Sequence, residues 1–82
     1  LIAYANAATN IGLIDRAIEI LRQAQEINPY ISVVYEELIR LLLQKNNYKE
    51  ARKVLSLAKK YISQFSPVLY LFKERLDNHP PE

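Results

Sequence analysis

Two adjacent carboxylates, Glu36 and Glu37, one histidine, His79, and the serines Ser32 and Ser66 are the groups that proton transfer or nucleophilic attack would draw on in this 82-residue chain. General acid–base work needs two such groups aimed at one point. Neighbours in sequence point about 100° apart on a helix, so Glu36 and Glu37 diverge and read as surface or groove carboxylates. His79 stands between Asn78 and Pro80 and reads as a solvated tail residue. Ser66 precedes Pro67, a pairing that opens a helix, and Ser32 also reads as a cap rather than a nucleophile. No cysteine is present, which removes disulfides and thiolate metal sites and fits a reducing, cytoplasmic setting. No residues have metal-ligand spacing, and the one glycine, Gly12, cannot build a phosphate-cradling loop. These residues point away from an enzyme and call for no metal and no cofactor.

Charge suggests a surface rather than a reaction. The formal net charge is +2. Residues 1–37 carry five acids and two bases, whereas residues 38–82 carry nine bases and four acids. Lys49, Arg52, Lys53, Ser56, Lys59 and Lys60 fall on one face of a helix. Such a stripe can touch phosphates, but no aromatic side chain interleaves with it, and we expect a solvated face without direct nucleic-acid contact. No apolar run approaches the length of a membrane span, and no secretory signal is evident. The chain has no methionine, so Leu1 is not a natural start and a longer parent is expected.

The elements that would position these groups are helices. Half of the residues are apolar and 24% are charged, a globular composition. Long stretches rich in Leu, Ile, Ala, Glu, Lys and Gln contain neither Gly nor Pro, which favours helix. We expect helices over 1–10, 13–27, 32–45, 47–64 and 67–77. Pro29 closes the second. Asn47 with Glu50 is a capping-box pattern that opens the fourth, and Ser66-Pro67 opens the fifth. The last presents Leu69, Phe72 and Leu76 on one stripe. The segment from His79 to Glu82 reads as a tail.

An internal repeat organises these helices. Ala17, Leu21 and Ala24 reappear as Ala51, Leu55 and Ala58, each 34 residues later. Ile20 falls on Val54 and Ile14 on Tyr48. The same shift carries Leu1, Tyr4, Ala5 and Ala8 onto Tyr35, Leu38, Ile39 and Leu42, a set with the spacing of one helix face. The pattern resembles the tetratricopeptide repeat, a pair of helices of about 34 residues. The second unit supplies Tyr35, Leu38, Ile39, Leu42, the turn Asn46-Asn47, then Tyr48, Ala51, Leu55 and Ala58. The first supplies Tyr4, Ala5, a turn at Gly12, then Ala17, Leu21, Ala24 and Pro29. Ile39 stands where the family usually has a small residue, and Ser63 replaces the closing proline. The resemblance implies an all-α domain over residues 1–78, with antiparallel helix pairs stacked as a short right-handed superhelix. It places repeat 1 at about 1–31, repeat 2 at about 32–65 and a capping helix at about 66–77. Lys73 stands where a small residue would receive a further helix, which marks the end of the stack.

The family is a protein-interaction scaffold whose members commonly dock peptides on a concave side lined by the first helix of each pair. The resemblance puts Ile2, Asn6, Thr9 and Asn10 on that side, followed by Val33, Glu36, Glu37, Arg40, Leu43 and Gln44, then Tyr70. Some members hold a chain-terminal carboxylate in a clamp of basic residues and asparagine. Here Ile2, Glu37, Pro67 and Leu71 occupy the clamp positions, and binding of that kind is not expected. The expected partner is therefore a protein or peptide, with no membrane insertion. Two other readings stand beside it. The stretches "SPVLYLFKERL" and "NPYISVVYEELIRLLL" are similar to the helical activation domains of bacterial antibiotic-regulatory-type transcription regulators, although the link between Ala51 and Ser66 is shorter here. That resemblance implies a regulatory or dimerising domain. Self-association is the other, because Leu41, Leu42 and Leu43 make one helix apolar on more than one face.

Overall fold

A computed structural model describes residues 13–78. Those residues form four helices: α1 (Ile14–Ile27), α2 (Ser32–Gln44), α3 (Tyr48–Tyr61) and α4 (Pro67–Asp77). The helix expected over 1–10, with Asn6 and Asn10, lies outside the described residues, as do Gly12 and the tail with His79.

The width of each buried stripe follows the number of neighbours. On α3 the buried residues are Ala51, Val54, Leu55 and Ala58, a single narrow stripe. On α2 they are Val34, Tyr35, Leu38, Ile39, Leu41, Leu42 and Leu43. That helix is central and packs against α1, α3 and α4, so it buries most of its circumference. Leu41, Leu42 and Leu43 are all inside the chain's own core. These three leucines are packed within the chain itself and lend no support to the self-association expected from them. Each fully buried leucine contributes about 1.5–3 kcal/mol relative to exposure.

The 34-residue register holds in three dimensions. Ala17 and Ala51 are completely buried, as is Ala58, and Ala24 is buried as well. Alanine at these places removes the side-chain bulk that would hold helices apart. The shift also carries α2 onto α4, where it diverges in an informative way. Tyr35 and Leu69 are both buried, and so are Leu42 and Leu76. Ile39, Leu41 and Leu43 are buried on α2, but their counterparts on α4 are Lys73, Arg75 and Asp77. Charges at those three places oppose burial under another helix, a pattern consistent with a capping helix.

Turns fix the reversals. Asn46 has φ of 60°, the left-handed position that follows many helices. The Asn46 N–H donates to Leu43 O at 2.9 Å and the Asn47 N–H to Leu42 O at 2.8 Å. This is a Schellman closure of α2 with asparagine in place of glycine. The Asn47 side chain then accepts the Glu50 N–H at 3.4 Å and caps α3. Only half of the expected capping box forms, because Asn47 N is already bonded and the Glu50 carboxylate pairs with Arg22 and Lys53.

Two local expectations are corrected. Helix α3 ends at Tyr61 rather than at residue 64, because Ile62 turns to an extended conformation. Residues 62–66 make the reversal that lets Ile62 and Phe65 pack on the core, and Pro67 requires an extended Ser66 before it. Ser32 is not a cap. It is the first residue of α2, the N-cap is Ile31 with no side-chain bond, and the Ser32 hydroxyl donates to Glu36 instead.

Candidate functional site

Helices α2 and α4 pack side by side, and a cleft of 330 Å³ opens between them. It is lined by Arg40, Leu43 and Gln44 from α2 and by Phe72 and Arg75 from α4. Residues 40, 43 and 44 meet on one flank of α2 through i, i+3, i+4 spacing, and residues 72 and 75 do so on α4. Leu43 is buried and forms apolar floor, with half-buried Phe72 beside it. Arg40, Gln44 and Arg75 are exposed.

The polar groups of the cleft differ in how far they are committed. Arg40 donates through Nε at 3.2 Å and through Nη2 at 2.5 Å to one oxygen of Glu37, which orients the guanidinium and leaves its other N–H groups unspent. Among the described residues, the side chains of Arg75 and Gln44 have no hydrogen-bond or ion-pair partner.

Other residues expected on this side have different surroundings. Glu36 is a structural tie: its Oε2 accepts the Ser32 hydroxyl at 3.2 Å and the Ser66 hydroxyl at 3.1 Å. Tyr70 is 58% exposed and lies edge-on to Phe65 with ring centroids 5.7 Å apart. It lines a separate cleft with Lys73, Glu74, Asp77 and Asn78, away from Arg40. There the Lys73 ammonium, 2.9 Å from Asp77, holds the Asp77 carboxyl below its usual range and is itself pushed up by the same hydrogen bond. Val33 and Leu71 are exposed, at 40% and 66%. Sequence reasoning missed Arg75 and Phe72 as cleft residues. Arg75 carries a legible signal, since it is a charge 34 residues after the buried Leu41.

On the basic stripe of α3, Lys49, Lys53, Lys59 and Lys60 are exposed and Arg52 is half-buried. Lys53 pairs with Glu50 at 3.2 Å, and Lys60 Nζ lies 5.4 Å from the Tyr61 ring centroid. Among the described residues, no group of three or more acidic or histidine side chains could hold a metal ion, and no helix is long and apolar enough to cross a membrane. Tyr35, fully buried, donates to Pro29 O at 2.5 Å and accepts from Gln25 Nε2 at 3.4 Å. Burial pushes its phenol above the ordinary range despite the Gln25 bond.

Comparison with curated proteins and with solved structures gives no match. A comparison with family models does: the tetratricopeptide repeat model matches residues 12–75. That span takes in all of α1, α2 and α3 and nearly all of α4. The match, the 34-residue register of buried alanines and the paired helices agree, and the chain belongs to the tetratricopeptide repeat family.

Proposed function

We propose that the chain is a non-catalytic interaction module that receives a peptide or protein segment on the side shared by α2 and α4. The observation that carries this reading is the contrast in exposure around α2. Its other faces are sealed by α1, α3 and α4, while Val33, Arg40 and Gln44 stay accessible on one side. Leu71 and Arg75 of α4 are accessible as well. Exposed apolar side chains mixed with unspent donors suit a peptide, which offers both side chains and backbone carbonyls. In the 34-residue register Asn6 and Asn10 correspond to Arg40 and Gln44 and belong to this proposal, and Glu37 and Tyr70 would border the side. Family membership supports the interaction role, since repeats of this kind act in general as protein scaffolds without chemistry of their own.

The test is selection of binding peptides from a displayed random library, followed by mapping of one binder on the ¹⁵N-labelled chain. Amide shifts confined to α2 and α4, with binding lost in the Arg40→Glu, Leu71→Ser double variant, are the expected result. Binding retained by that variant, with shifts on α1 or α3, would move the site elsewhere.

A further inference from the structure

The cleft between α2 and α4 has a definite chemical bias. Two guanidinium groups, Arg40 and Arg75, come from different helices and line one opening of 330 Å³. The amide of Gln44 adds a donor that is equally unspent among the described residues. Among the described residues, no acidic side chain lines it. The Glu37 carboxylate bonds Arg40 from within α2 through a single oxygen and makes no bond to Arg75. Leu43 and Phe72 supply an apolar wall against which a short methylene stem can rest.

We propose that this cleft takes the carboxylate of a glutamate or aspartate side chain within an acidic segment of a partner protein. The inference rests on the peptide-binding reading of the α2–α4 side and names its chemistry. Planar guanidinium groups suit a carboxylate through parallel N–H donors, and charge-assisted bonds of this type are about twice as strong as neutral ones. Arg75 carries the inference: it stands where the equivalent place on α2 holds the buried Leu41, so here the register gives way to an accessible cation. The partner chemistry also differs from the chain-end clamp known in some family members, whose positions here hold Glu37, Pro67 and Leu71.

The experiment is an NMR titration of the ¹⁵N-labelled chain at low salt with hexaglutamate blocked at both ends, and in parallel with blocked hexaglutamine. Hexaglutamate is expected to shift the Arg40, Gln44 and Arg75 signals, including the arginine Nε–H resonances, and added salt should reverse the effect. Arg75→Glu should weaken that binding about tenfold or more, while Lys53→Glu on α3 should leave it unchanged. Equal shifts by hexaglutamine on the same residues would overturn the carboxylate assignment while leaving the peptide-binding side in place. Shifts confined to Lys49, Lys53 and Lys60 would overturn it in favour of the α3 stripe. Absence of any shift on α2 and α4 with either peptide would overturn it too, and displayed-library binders mapping there would show that the broader reading survives.

Discussion

The hydroxyl of Ser66 donates to Glu36 Oε2 at 3.1 Å while it accepts the Leu69 N–H at 3.2 Å. One side chain therefore starts α4 and fastens it to α2. The same Glu36 oxygen also receives Ser32, so the start of α2 and the start of α4 share an acceptor. The cleft between these helices depends on that attachment, because α4 has only two fully buried anchors of its own, Leu69 and Leu76.

Ser66→Ala removes both bonds and should lower stability by about 1–2 kcal/mol, read from the urea midpoint. Ser66→Asp keeps the cap for Leu69 but sets a second carboxylate beside Glu36. It should therefore recover stability only when combined with Glu36→Gln, as a double-mutant cycle would register. Additive effects of the two changes would mean that the Ser66–Glu36 bond contributes nothing.

Asn46 has φ of 60° where the chain leaves α2. Asn46→Gly should leave the melting temperature unchanged or raise it slightly, since glycine takes this conformation without strain. Asn46→Val forces a β-branched residue into it and should cost about 1–2 kcal/mol. Identical melting curves for the two variants would show that the left-handed turn is not required.

Ala51 is completely buried in the stripe that α3 turns to its neighbours. Ala51→Leu should overpack the contact and cost about 1–3 kcal/mol. Ser56→Ala, on the exposed side of the same helix, should fall within about 0.5 kcal/mol of the parent. Equal stability of the parent and the leucine variant would contradict the close approach of the helices.

Hydrogen bonds from Lys53 and then Arg22 hold the Glu50 carboxyl below its ordinary value of 4.5. A lowered folded value means that the pair stabilises the fold above pH 4.5 and that this contribution is lost as the pH falls through the lowered value. For a partly exposed pair the effect is small, at most about 1 kcal/mol. Glu50→Gln should be less stable than the parent at neutral pH, and the two should converge in acid. A gap that stays constant from neutral pH into the acid range would rule out the ionised pair as its source.

Local chemistry accounts for most of what could be read from the residues alone. The helices α1, α2 and α4 begin and end within a residue of the expected positions, because apolar spacing and the Ser66-Pro67 start act over a few residues of contiguous chain. The 34-residue return of Ala17, Leu21 and Ala24 is also a property of the chain, and it carried the family. The end of α3 at Tyr61 was not legible, because Ile62 and Phe65 leave the helix to reach a core made by other segments. Nor was the role of Glu36, whose partner Ser66 is 30 residues away. Sequence periodicity places Arg40 and Gln44 on one face of α2, but only packing decides which residues of α4 stand opposite. That packing brought Phe72 and Arg75 to the cleft and left Tyr70 outside it. Periodicity sets the direction of a side chain about its own helix axis; the rotation of one helix against another is set by the interlocking of buried side chains, and this is decided in the assembled core.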